Sequence, residues 1–230
     1  TLDVSNNTSL VKFYCNDNQL PKINVTANTA LKEFDIANNL LSALNIRNNT
    51  ALTYLCVSNN VELSMVDVKY NTALQKLYCN GIAIGELNIS NNTALTKLEC
   101  HTNPNLTTLT CGSVFANATN RFIAADKSLN ILTINGERIP YRVGDLIKDG
   151  SCWGVVFSVS SVTKIVSVKE TSQSWSSAKT WCSNYGTGWY LPSLDELREI
   201  YNQKSAINST LSASGYTTLS TRDYWSSTER

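Results

Sequence analysis

Residues 48–55 read NNTALTYL and residues 91–98 read NNTALTKL, and the phrase behind them recurs along half of the chain. Asn-Thr-x-Leu opens at Asn7, Asn28, Asn49, Asn71 and Asn92, with spacings of 21, 21, 22 and 21 residues. A fixed period of this length restricts the fold to stacked coils, because one unit is too short to bury its own apolar face and each must lean on the next. Every occurrence launches the same pattern. Leu10, Leu31, Leu52, Leu74 and Leu95 begin it; Phe13, Phe34, Leu55, Leu77 and Leu98 follow three residues on; Cys15, Ile36, Val57, Cys79 and Cys100 come two further. Three more residues lead to Asn18, Asn39, Asn60 and Asn103, with Ile82 breaking the rule in the fourth copy.

The second half of each unit repeats the design with Leu20, Ile23 and Val25, then Leu41, Leu44 and Ile46, then Leu63, Val66 and Val68, then Ile84, Leu87 and Ile89, and a last half-turn at Leu106, Leu109 and Cys111. Alternating apolar residues mark short strands with one face buried. The Asn that follows turns its side-chain amide onto the backbone of the bend and tolerates unusual backbone angles. Coils stacked about 4.8 Å apart then bury one continuous ridge, and the repeated phrase is the corner between them.

The lines LVKFYCNDNQL (residues 10–20) and LTKLECHTNPNL (residues 95–106) resemble the leucine-rich repeat family, in the short Cys- and Asn-containing variety of gut-bacterial surface proteins. The resemblance covers residues 1–111 and implies a solenoid with short β-strands per coil and little helix. It implies a scaffold for binding and does not by itself name a ligand. Because Leu2 and Val4 already occupy strand positions, the natural amino terminus is expected to lie upstream.

Charge and cysteine content narrow the function further. Charged residues make up 16% of the chain and the net charge is +1, so no basic stripe argues for nucleic acid or an anionic membrane. No apolar run reaches spanning length, and no membrane insertion is expected. Of seven cysteines, Cys15, Cys79, Cys100 and Cys111 fall where sister coils place Ile or Val and read as small buried hydrophobes. A disulfide or metal between Cys79 and Cys100 is the alternative, without the CxxC or His spacing that would favour it. Cys56 lies one place off the core register and is expected to face outward, and Cys152 and Cys182 are candidates to pair.

After Cys111 the ruler fails. Residues 112–140 are expected to form a cap and connector that covers the open end of the solenoid, with a hairpin signal at Asn135-Gly136. From residue 141 the composition changes. GVVFSVSSVTKIVSVKE reads as two strands, and SWSSAKTWCSNY reads as a helix with Ser174 as N-cap and Trp175, Ala178, Trp181 and Cys182 on one face. Ser193 with Glu196 is a capping box opening a second helix, whose inward residues are Leu194, Leu197, Ile200 and Tyr201. The segments GWYLPSLDEL and YWSSTE resemble the Lcl-type or major-paralogous domain of bacterial surface proteins, a relative of C-type-lectin-like and formylglycine-generating folds. That resemblance covers residues 141–229 and implies an extracellular recognition module of two helices and a small antiparallel sheet. Relatives continue past the WSSTE strand, so this α+β domain, 141–230, is expected to be truncated at its carboxy end.

Catalysis finds little support in the residues. The single histidine, His101, follows a solenoid strand with no nucleophile elbow, phosphate loop or metal motif near it. Asp195, Glu196 and Glu199 at a helix start suit the helix dipole. The Glu-Pro-Asn and Trp-Asn-Asp signatures of calcium-dependent sugar binding are missing from the chain. No enzyme activity, cofactor or metal site is expected.

The outward residues of the first half-coils are more informative: Lys12 and Tyr14, Glu33 and Asp35, Tyr54 and Cys56, Lys76 and Tyr78, Lys97 and Glu99. Tyrosines interleaved with charges suit recognition, since a rigid ring offers contact area at low entropic cost. Asp3, Asn24, Asn45, Asp67 and Asn88 form a second polar ladder that reads as structural. The expected function is a secreted or surface-anchored adhesion protein at the extracellular or outer cell surface, lipid-anchored through the removed amino terminus and binding an extracellular protein or glycan. A structural spacer that displays a missing carboxy-terminal module is the alternative, and an enzyme of unknown reaction the least favoured.

Overall fold

The computed structural model describes residues 2–117, 122–126, 129–133, 136, 145–149, 152–159, 163–167, 177–178, 180, 182, 184, 189–190, 192–216 and 218–219. The chain divides into two compact units, Thr1–Ile139 and Pro140–Arg230.

The first unit is a parallel β-solenoid with little helix. Three-residue strands β1 (Lys12–Tyr14), β2 (Glu33–Asp35), β3 (Tyr54–Cys56) and β4 (Lys76–Tyr78) arise where each coil places an apolar residue between two polar ones. β5 (Glu86–Ile89) belongs to the second half of the fourth coil, and β6 (Lys97–Glu99) opens the fifth. β1, β2, β3, β4 and β6 pair in parallel with one register, so Phe13, Phe34, Leu55, Leu77 and Leu98 stand in a column. Leu31, Leu52 and Leu74 stack beside them, all fully buried. Cys15, Ile36, Val57, Cys79 and Cys100 complete the ridge, and Phe13 stacks on Phe34 with centroids 5.5 Å apart.

The second halves of the first three coils keep their apolar residues inward without forming strands. Only later do they regularise: β5 pairs in parallel with β7 (Thr108–Cys111). The segment expected to cap the solenoid contains a short helix α1 (Ser113–Asn117) and the strands β8 (Phe122–Asp126) and β9 (Asn130–Thr133). β8 pairs with β6 and β9 with β7, both in parallel, which adds one more coil to both columns. Gly136 has a φ of 81°, while Asn135 lies outside the described residues.

Asparagines fix the coil corners in two ways. In the first ladder, the amide nitrogens of Asn28, Asn49, Asn71 and Asn92 each donate to two carbonyls of the preceding coil; Asn49 reaches Val25 O at 2.9 Å and Asn28 O at 2.8 Å. The four Oδ1 atoms are buried and without a partner among the described residues. In the second ladder both ends of the amide are used. Asn60 donates to Ile36 O at 3.0 Å and Val57 O at 2.9 Å, and its Oδ1 accepts from Leu41 N at 3.0 Å. Asn39 and Asn103 repeat this arrangement.

Between the ladders runs a column of left-handed residues: Asp17, Asn38, Asn59, Gly81 and Thr102, with φ from 54° to 62°. Asn38 donates to Asp17 and Asn59 to Asn38, each at 2.7 Å. Gly81 lacks that side chain, and Asn59 Oδ1 lies 2.6 Å from where its Cβ would be. Asp3, Asn24, Asn45, Asp67 and Asn88 each accept the backbone N–H two residues on, which makes them Asx turns.

In the second unit β10 (Leu146–Asp149), β11 (Cys152–Val159) and β12 (Thr163–Ser167) form an antiparallel sheet. Two of these strands were expected from the sequence, and β10 is additional. Ser177, Ala178, Thr180, Cys182 and Asn184 are helical, whereas Ser174, Trp175, Trp181 and the YWSSTE segment lie outside the described residues. Cys182 carries a free thiol. α2 (Leu194–Asn202) begins at the expected capping box, in which Ser193 Oγ accepts Glu196 N at 3.2 Å and Glu196 Oε2 accepts Ser193 N at 2.8 Å. Ile200 faces the core as expected, while Tyr201 is 73% exposed and Leu194 is exposed as well. A third helix, α3 (Lys204–Ala213), follows directly and buries Ile207 and Leu211. Among the described residues no helix is long and apolar enough to cross a membrane.

Candidate functional site

Strand alternation decides what the solenoid shows to the outside. With Phe13, Phe34, Leu55, Leu77 and Leu98 inward, the residues on either side of each must point out. Parallel register stacks them into two rows. Lys12, Glu33, Tyr54, Lys76 and Lys97 form one, and Tyr14, Asp35, Cys56, Tyr78 and Glu99 form the other. All of the sequence candidates lie on this one sheet face.

Contacts within the face link side chains across coils. Lys12 Nζ lies 2.8 Å from Glu33 Oε1, and the Tyr14 hydroxyl donates to the same carboxylate. The Lys12 hydrogen bond, followed by the Tyr14 bond, holds Glu33 below the usual carboxylate range. The same contact raises Lys12, and the bond to Glu33 raises Tyr14. Tyr54 donates to Asp35 Oδ2 at 3.3 Å, and its ring lies 5.4 Å from that of Tyr78 at a 44° tilt. Burial, with the charge of Asp35 and its neighbours added, pushes the Tyr54 phenol up. At the far end Lys97 lies 3.1 Å from Glu99 and 5.2 Å over the Tyr78 ring. Burial alone would lower Lys97, yet Glu99 and Tyr78 together leave it raised.

Cys56 keeps the outward register expected of it and is nonetheless covered. Its place in the strand is outward, but the side chain is only 9% exposed. It stands in its row between Asp35 and Tyr78, beside Tyr54, and larger side chains overshadow a short one. Burial raises its thiol against the opposing donation of Ser58 and Tyr54.

A third outward row escaped the sequence reading: Asn16, Ala37, Ser58, Asn80 and His101, two residues beyond the second. Ala37 and Ser58 are as covered as Cys56, so three small side chains floor the face beside the tyrosines. The period-2 alternation running past the strand end is the signal that would have found them. Asn80 N donates to Ser58 Oγ at 3.1 Å and His101 N to Asn80 Oδ1 at 3.1 Å. His101 itself is half-buried, with Nδ1 at 2.8 Å from Thr102 Oγ1. Among the described residues no three His, Cys, Asp or Glu side chains gather as a metal would need.

No protein-family model matches the chain, and no curated protein matches it. Eight chains among solved structures do match. One is the functional domain of InlJ from Listeria monocytogenes, described as including a cysteine ladder, with 21% identity and a TM-score of 0.36. The likeness takes in 58% of this chain and 45% of that one, so the chain spans less than half the length of the protein it matches. A superposition this loose carries no functional weight.

Proposed function

We propose that the chain is a non-enzymatic, adhesion-type binding protein of the extracellular or outer cell surface. Its solenoid face recognises an extracellular protein or glycan. The observation that carries this reading is the alignment of Tyr14, Tyr54 and Tyr78 with ordered charges on a single rigid sheet. Rings pre-positioned by backbone register lose little entropy on binding, which is what recognition surfaces require. The second unit is read as a C-type-lectin-like recognition module on its sequence resemblance, with the antiparallel strands and the Ser193 capping box in support.

The test is a screen of the full chain against arrayed extracellular-matrix proteins and glycans, alongside the triple substitution Tyr14→Ala, Tyr54→Ala and Tyr78→Ala. A ligand that binds the native chain and is lost with the tyrosines, while far-UV circular dichroism stays unchanged, supports the reading. Silence up to high micromolar concentration, or binding indifferent to the three substitutions, refutes it.

A further inference from the structure

The charges of the solenoid face are not all used up internally. Glu33 is matched by Lys12 at 2.8 Å and Glu99 by Lys97 at 3.1 Å. Asp35 and Lys76 are left over. Asp35 accepts from the Tyr54 hydroxyl at 3.3 Å and from Ala37 N at 3.1 Å, both neutral donors. Its row neighbours are Tyr14 and Cys56. Lys76 is exposed, and its row neighbours are Tyr54 and the already paired Lys97. Neither makes an ion pair with any described residue. At longer range Lys76 acts on Glu33, a carboxylate already held by Lys12. Between Asp35 and Lys76 on the face lie Tyr54, its ring tilted against that of Tyr78, and the small covered side chain of Cys56.

Resting on the recognition surface proposed above, we infer that its partner is a protein presenting an amphipathic helix. One face of that helix carries a cation and a carboxylate separated by two turns, with apolar residues between them. The spacing follows from the sheet. Asp35 and Lys76 are two coils apart, about 9.6 Å, and are offset by two residues along the strand, about 6.6 Å, which together give about 12 Å. On a helix rising about 1.5 Å per residue, positions seven or eight apart span about 10.5–12 Å on one face. The residues three and four places in fall midway, above β3 between Tyr54 and Cys56.

Two observations favour a helix of this kind over other occupants. The face lies within a sheet whose backbone groups already bond from coil to coil. An extended peptide laid across it would leave its own N–H and C=O groups without a ladder, whereas a helix brings its own. The carboxylates that could clamp a sugar's neighbouring hydroxyls, Glu33 and Glu99, are already held by lysines at 2.8 and 3.1 Å.

The experiment uses stapled helical peptides on an Ala/Gln frame with Leu at the third and fourth places between two charges seven positions apart. Three are compared by fluorescence anisotropy at low ionic strength: Arg with Glu, Arg with Arg, and Glu with Glu. Against the native full chain the Arg/Glu peptide should bind about tenfold more tightly than the other two, because a like-charge contact is costly across an interface. Lys76→Glu should move the preference to Arg/Arg and Asp35→Lys to Glu/Glu. The double variant should return it to Arg/Glu. Asp35→Asn, which keeps the acceptor for Ala37 N, guards against a folding defect and should equalise Arg/Glu with Glu/Glu. Equal affinities for all three peptides, or preferences that ignore the swaps, overturn the inference. If no peptide binds while a glycan shows tyrosine-dependent binding, the helix falls and the recognition surface stands. If neither peptide nor array shows tyrosine-dependent binding, both fall.

Discussion

The two asparagine ladders are not equivalent, and truncating one rung of each should separate them. Asn49 and Asn60 are both fully buried, so the space left by Asn→Ala is similar in the two cases. Asn49→Ala removes two donated bonds, each worth about 1 kcal/mol. The carbonyls it leaves keep other donors, since Val25 O still accepts Asn28 N and Asn28 O still accepts Leu31 N. The substitution also deletes an Oδ1 that has no partner among the described residues. Asn60→Ala removes the same kind of donated bonds and one accepted bond besides, and strands the N–H of buried Leu41. A buried unsatisfied donor costs about 1–3 kcal/mol. The Asn60 variant should therefore be less stable than the Asn49 variant by about 2 kcal/mol. In urea melts of the full chain followed by far-UV circular dichroism, that difference moves the midpoint by about 1 M at unchanged slope. Hydrogen exchange should speed up at Leu41 in the Asn60 variant alone. Equal midpoints, or a lower one for Asn49→Ala, would refute the assignment of a one-ended and a two-ended ladder.

Gly81→Ala should cost about 1 kcal/mol in the same melts, because φ is 62° and the new Cβ meets Asn59 Oδ1; Gly81→Asn should cost less, since Asn tolerates that conformation and offers Asn59 a donor. Burial pushes the Cys15 thiol up to about 11 from 9.0, so its contribution to stability is complete below pH 9 and is lost as pH rises towards 11; Cys15→Val should flatten the alkaline fall in midpoint, and an unchanged slope would count against it. Leu52→Ala in the middle of the ridge should cost about 2–5 kcal/mol, and Leu10→Ala, at a half-exposed position, clearly less. Ser193→Ala removes an N-cap and should lower stability by about 1 kcal/mol, seen as faster exchange in the first turn of α2.

The solenoid was readable because its grammar is redundant: Leu31, Leu52 and Leu74 each signal the same place, and the structure stacks them in one core. The outward rows were readable for the same reason, since a residue between two inward ones has nowhere else to point. The outward register of Cys56 was readable and its burial was not, because direction and exposure are different quantities. A short side chain flanked by tyrosines is covered whichever way it faces. The left-handed column was invisible because Asp17, Asn38, Asn59, Gly81 and Thr102 share a backbone angle and no single residue type. In the second unit the Ser193–Glu196 signature located α2 to the residue, whereas α3 has no side-chain cap bond at its start to announce it.

The ladders also bear on how such a molecule changes over generations. Each rung addresses only main-chain groups, in the first ladder the carbonyls of the coil before it, and those are the same whichever coil supplies them. The third coil carries an extra residue, yet Asn71 still finds its two acceptors. A gene segment encoding one full turn can therefore be duplicated or lost by recombination without a new contact having to be invented, and the recognition surface lengthens or shortens by one set of outward side chains each time.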